Sequence, residues 1–411
     1  MCDTLYAGPA ACGGGRAWFA KNSDRHPAEP QATCIVPRRP PEDETLVGSR
    51  RFAAPDRGHS YVLSRPTWMA GGEMGVNERG VAIGNEAVFS RFRAKKDGAL
   101  GMDILRAALA HADSAAEARD FICSFVENED QGGNGAYRGS LVYSNSFIVA
   151  GSSGAFVVET AGRRWAWKTI ESVATISNAY SIEGDHEGLD AATRAEAPAS
   201  WRERVQDPFY LLFTKGDSRR AVTLGVLRGS APDISLGIVL AALRSHGGSE
   251  PGRLGMAAPC VHGAGFPVKS STTASMAFEY LPAGEQAAGI LWFTGVSHPC
   301  LSVFAPIILA GGAFIPLWTR YDHSEGSATA LRVWEHGRVR AVWAGGAARS
   351  ADPGFTAVRD RIQGMLAAAA GGAARAPFSA AAIDKARREV DGAMAEWGAY
   401  LDSGKGPRQV P

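Results

Sequence analysis

The stretch MCDTLYAGPAACGGGRAWFAKNSDR, residues 1–25, sets a cysteine directly behind the initiating methionine. Residues 4–7 and 17–21 are short apolar runs, and CGGG between them supplies the permissive backbone of a turn. This pattern predicts a hairpin whose first strand begins at Cys2. Its second strand ends in KNSD, which brings Lys21 and Asp24 within reach of the strand that carries Cys2.

Loss of Met1 would leave Cys2 with both a thiol and a free α-amine. Their ordinary pKa values are about 8.5 and about 7.7–8.0, so one residue can hold nucleophile and base together. The strand-like DTLYAG follows at once, so the mature chain is expected to begin at Cys2 without a longer propeptide. A thiolate needs nearby positive charge and an ammonium needs an acceptor. Lys21 and Asp24 are the candidates for these two roles.

Farther along, Ile104, Leu105, Ala108, Leu109 and Ala112 recur at helical spacing. SAAE at 114–117 is a capping box that opens a second helix through Phe125. Strand-like runs follow at 140–150, 155–159, 164–168 and 173–177. Helical patterns return at 202–213, 218–227 and 234–245, and strands at 275–281 and 289–293. Strands and helices in segregated blocks argue for packed layers of sheet and helix (an α+β fold) rather than a parallel βαβ sheet. Three regions are expected: a main domain over 2–366, an Ala/Gly-rich linker over 367–377, and a C-terminal helix and tail over 378–411.

The 411 residues are 45% hydrophobic and 21% charged with a net charge of +1, which suits a globular core and gives no basic surface for nucleic acid. The most apolar stretch, 301–318, holds two prolines and two glycines and reads as buried strand and loop, not a membrane span. Six cysteines scattered through so long a chain do not form a small disulfide scaffold. A reduced, cytoplasmic protein is the expectation, with a homo-oligomer left open.

Several motifs resemble one family. MCDTLYAGPA with FAKNSDRHPAEPQ, WMAGGEMGVNERGVAIGNEAVFS (68–90), LGMDILRAAL (100–109), SNSFIVAGSSGAFVVETAGRRWAWK (144–168), TISNAYSI (175–182), STTASM (271–276) and WFTGVSHPCLSVFAPI (292–307) occur in order. Together they resemble peptidase family C69, the bacterial dipeptidase and secernin group of N-terminal nucleophile (Ntn) hydrolases. The resemblance implies a four-layer αββα sandwich with two antiparallel sheets between helix layers. It implies hydrolysis of a linear amide C–N bond through a thioester on Cys2, most directly of a dipeptide, without metal or organic cofactor. Acylase, amidase or acyltransferase action on a small natural product, and a non-catalytic secernin-like role, are the alternatives.

The resemblance also implies roles for individual residues. Lys21 and Asp24 match the cation and aspartate of the more distant bile-salt hydrolases and penicillin V acylases, which usually carry arginine where Lys21 stands. Asn178 matches the position whose side-chain amide stabilises the oxyanion. A backbone N–H at Asn85, or at Glu86 one residue on, matches the second oxyanion donor. Lys269 is the candidate for a distal active-site arginine.

Other constellations compete. CVH at 260–262 and HPC at 298–300 offer two thiols and two imidazoles, a zinc ligand set. Their spacings are not those of a tight zinc knuckle, and buried structural cysteines are the reading adopted. Nothing like a papain-type motif surrounds Cys34 or Cys123. Glu73, Glu78 and Glu86 lie in strand and hairpin sequence rather than in a glycosidase pair.

Overall fold

The computed structural model describes residues 2–248, 256–263, 269–343, 350–375 and 379–403. Two antiparallel sheets lie face to face. In spatial order the first joins Val173–Ile176, Cys2–Ala7, Ala17–Arg25, Ser271–Tyr280, Ala287–Phe293, Ala305–Ala310 and Ala313–Pro316. The second joins Gly188–Leu189, Arg164–Thr169, Gly154–Ala161, Ser144–Gly151, Ala82–Val88, Met74–Asn77, Tyr61–Pro66 and Gln31–Val36.

Side-chain alternation assigns each strand to two cores. Along Ala17–Arg25, Ala17 and Phe19 enter the core between the sheets, where Ile148, Val157 and Phe278 meet them. Trp18 and Ala20 enter an outer core built with helices Leu236–Arg244, Pro353–Arg375 and Ala380–Asp402. Helices Gly101–His111 and Ala115–Asn128 cover the outer face of the second sheet. The order helix, sheet, sheet, helix is the expected αββα sandwich. Strands buried on both faces explain why apolar and polar residues do not alternate cleanly in these segments.

Local signals explain several boundaries. Gly13, Gly14 and Gly15 all take positive φ, which the CGGG reading requires of the turn after the first strand. Ser114 caps its helix by accepting from the Glu117 N–H at 3.2 Å, and the Glu117 carboxylate reaches back to the Asp113 N–H at 2.9 Å. The helical pattern at 202–213 is two helices, Trp201–Val205 and Pro208–Thr214. Pro208 cannot donate to a continuing helix and instead opens a new one capped by Asp207.

The linker expectation is corrected. Residues 367–375 complete the helix Pro353–Arg375, and Ala369, Ala370, Ala373 and Ala374 are buried. Alanine is the best helix former, and its small side chain permits close approach to the helix Ala380–Asp402. That last helix contributes Val390, Ala393 and Trp397 to the outer core. Residues 376–378 and the tail from 404 lie outside the described residues. Among the described residues, no helix is long and apolar enough to cross a membrane.

Candidate active site

In the first two strands Cys2 pairs with Ser23 and Thr4 with Lys21. Alternation then turns Cys2, Thr4, Lys21 and Ser23 toward the second sheet, and Asp3, Asn22 and Asp24 toward the outer helices. Cys2 is 5% exposed and Lys21 fully buried. The Lys21 ammonium donates to Glu86 Oε1 at 3.0 Å, and the Thr4 hydroxyl donates to the same oxygen at 2.5 Å. Gly84 makes this approach of the sheets feasible. A Cβ there would stand 2.8 Å from Lys21 Cδ and 3.0 Å from the Phe19 ring.

Charges set this pocket. Burial pushes the Cys2 thiol up to about 12, and the Lys21 ammonium works against that rise. Burial likewise lifts the Glu86 carboxyl to about 8, against the pull of Lys21. For Lys21, burial disfavours the charge, but Cys2 and Glu86 outweigh it and hold the ammonium above its usual range. The thiol is therefore protonated near neutral pH unless a base takes its proton.

Asp24 donates its backbone N–H to Cys2 Sγ at 3.3 Å, a contact that favours the thiolate. Its side chain accepts from the Thr272 hydroxyl at 2.6 Å. The register between Ala17–Arg25 and Ser271–Tyr280 shifts between Thr272 and Ala274, and this irregularity lies directly opposite Asp24 and Ser23. Burial raises the Asp24 carboxyl to about 7.

Asn178 stands just beyond the strand Val173–Ile176, which pairs with Cys2–Ala7. Its side-chain oxygen accepts from the Cys2 N–H at 2.8 Å and from Arg219 at 2.5 Å. Its amide nitrogen donates to Ala87 O at 2.7 Å. The amide is thus placed at the Cys2 nitrogen, on the side where an α-amine would lie.

Arg219, from the helix Gly216–Ser230, is fully buried. It pairs with Asp3 at 3.1 Å, donates to the Ser177 hydroxyl at 2.9 Å and reaches Cys2 O at 3.5 Å. Sequence reasoning missed it, because it lies outside the matched motifs and its partner Asp3 is 216 positions away. Lys269 does not take that place, for it is exposed at the start of the Ser271–Tyr280 strand.

Asn85 and Glu86 separate for the same geometric reason. Adjacent residues of a strand face opposite ways. Glu86 enters the Lys21 pocket, whereas the Asn85 side chain turns to the helix layer, near Met102 and Asn145. The Asn85 N–H donates to Glu73 O at 3.2 Å, so the first of the two expected second oxyanion donors is already engaged. Glu73 itself comes to the site. Its carboxylate lies 3.9 Å from Cys2 Sγ and pairs with Arg25 at 3.1 Å.

Residues 12–205 match the family model described as acyl-coenzyme A:6-aminopenicillanic acid acyl-transferase. The match contains Lys21, Asp24, Glu86 and Asn178, begins after Cys2 and ends before Arg219. Among solved structures, the chain is similar to a mutant conjugated bile acid hydrolase from Clostridium perfringens, at 11% identity and TM-score 0.46 over 79% of this chain and 98% of that one. It is similar to penicillin V acylase from Agrobacterium tumefaciens, at 12% identity and TM-score 0.44 over 79% and 94%. A further likeness is to the Caenorhabditis elegans ortholog of N-acylethanolamine-hydrolyzing acid amidase, at 11% identity and TM-score 0.34 over 67% and 92%.

Proposed function

We propose that the chain is a cysteine amidase of the Ntn type, in which Cys2, freed of Met1, cleaves a small linear amide. The observation that carries this reading is the convergence on Cys2. Its sulfur receives the Asp24 N–H, and its nitrogen lies on the Asn178 oxygen. A thiol raised to about 12 needs a base, and the α-amine of the same residue is one of the right strength. The amine takes the thiol proton as sulfur attacks the carbonyl carbon, and returns it to the leaving nitrogen. Water, or an acceptor amine, then resolves the thioester. Lys21 steadies the thiolate, and Asp24, Asn178 and Arg219 hold the terminal residue in place.

An apolar acyl group is the substrate feature we favour. The helix Pro208–Thr214 shows Phe209 at 60%, Leu212 at 65% and Phe213 at 52% exposure. It ends on Thr214, whose hydroxyl donates to the Asn178 carbonyl at 3.0 Å. Exposed apolar residues on a helix that ends against Asn178 suit an acyl chain. The acyl-transferase family model supports the same class of chemistry. A dipeptide is the second reading, favoured by the Glu73 carboxylate near the sulfur, which could receive a substrate ammonium.

Intact-mass measurement of purified enzyme, followed by incubation with N-acyl amides and unblocked dipeptides, tests these readings. The expected result is loss of Met1 and an acyl adduct on Cys2. Turnover by a chain that retains Met1 would overturn the mechanism. If dipeptides are the substrate, Glu73→Gln should impair dipeptides and spare N-acyl amides.

A further inference from the structure

Outside this pocket, four potential metal ligands converge from three separate segments. His246 follows the helix Leu236–Arg244, Cys260 and His262 flank Val261, and Cys300 lies in the short turn Pro299–Leu301. Their ligand atoms all lie within 4.8 Å of one another. His262 Nε2 stands 3.3 Å from His246 Nε2, 3.4 Å from Cys260 Sγ and 3.2 Å from Cys300 Sγ. One ring nitrogen carries either one proton or one lone pair and cannot serve three such partners at once. A shared cation can. With Zn–N of about 2.0–2.1 Å and Zn–S of about 2.3 Å, a tetrahedral site has edges of about 3.3–3.8 Å. The three separations around His262 lie at or just below that range.

His298, which the sequence offered as a fourth ligand, is displaced from the set. It stacks on the His262 ring with centroids 4.1 Å apart and planes 13° from parallel, and His246 completes the four. The cluster is braced from outside. Arg359 donates to the Cys300 carbonyl at 2.7 Å, and Arg244 donates to Pro299 O and Ser302 O at 3.0 and 2.9 Å. Cys260 N–H donates to Ser245 O at 3.0 Å, which ties the His246 segment to the Cys260 segment. Cys260, His262 and Cys300 are buried.

We propose that His246, Cys260, His262 and Cys300 form a structural zinc site that fixes the segment behind Asp24. Two thiolates and two neutral imidazoles fill a tetrahedral zinc shell and leave no open position for chemistry. The link to the reaction pocket is short. Val261 N–H donates to the Thr272 hydroxyl at 2.9 Å, and that hydroxyl donates to Asp24 at 2.6 Å. Thr272 N–H in turn donates to Val261 O at 2.9 Å. Closure of the ligands on zinc therefore holds the partner of the Asp24 carboxylate.

The test is metal content, which is independent of any activity. Protein purified with reductant, without chelator and with zinc in the growth medium should carry about one zinc per chain, removable only with a thiol-modifying reagent or strong chelator. Replacement by Co²⁺ should give the visible absorption of tetrahedral cobalt and a thiolate charge-transfer band. Cys260→Ser and Cys300→Ser should each lose most of the metal, and Cys123→Ser should keep it. Where the site variants do not fold, the cobalt spectrum of the wild-type chain decides the question. Metal-free wild-type protein with no cobalt spectrum, zinc undiminished in folded Cys260→Ser, or a Cys260–Cys300 disulfide in the reduced preparation would each overturn the proposal.

Discussion

The Asn178 side-chain oxygen accepts the backbone N–H of Cys2 at 2.8 Å, across 176 positions of sequence. The residue expected to face the oxyanion is therefore joined to the nitrogen of the proposed nucleophile. Asn178→Asp would place a carboxylate beside the Cys2 amine and hold it protonated. The acidic limb of kcat/KM should then move up by about one pH unit or more, with activity recovered at alkaline pH. An equal loss of kcat at every pH would instead make Asn178 an oxyanion donor, for which a drop of about 10²–10³ is usual.

Arg219 and Asp3 form a buried pair at 3.1 Å. Arg219→Met leaves the Asp3 carboxylate buried without that partner and should cost about 3–5 kcal/mol in urea unfolding. Adding Asp3→Asn to it should recover a good part of the loss. If the double variant is no more stable than Arg219→Met, the pair is not what holds this helix to the first strand.

Glu86 gives stability a definite pH slope. Its carboxyl is raised from 4.5 to about 8, so across that window the folded chain keeps a proton that the unfolded chain releases. The group's contribution therefore falls as pH rises from about 4.5 to about 8. Glu86→Gln should flatten the dependence of the urea midpoint on pH between these limits. An unchanged slope would mean that Glu86 stays ionised beside Lys21 throughout.

Thr272→Val removes the 2.6 Å hydrogen bond to Asp24 while keeping the side chain's shape. Activity should fall with little change in thermal midpoint, because Thr272 acts on the site through the Asp24 carboxylate. A fall in midpoint that matches the loss of activity would reduce Thr272 to a packing role.

Trp397 is 5% exposed and lies against Phe355, with ring centroids 5.5 Å apart. Trp397→Ala should cost about 3–5 kcal/mol. A chain ending at residue 366 should fail to give soluble protein, since it bares the outer core of the first sheet. Soluble, cooperative unfolding of that shortened chain would restore the reading of 367–377 as a linker.

The sequence by itself determined what depends on neighbours along the chain. The first strand from Cys2, its pairing across CGGG, the Ser114 cap and the final helix Ala380–Asp402 all rest on local rules of turn, period and capping. The Ala/Gly-rich run at 367–374 misled because composition alone does not say whether a partner surface is present. Only the tertiary structure decided which face each site residue takes and what meets it there. Asn85 and Glu86 are adjacent in sequence, yet the pleat sends one to the helices and the other to Lys21. Arg219 joins Asp3, and His246 joins Cys300, through layers stacked from distant segments. Such pairings are set by burial and close packing of the sheets and helices, which no spacing within a short motif encodes.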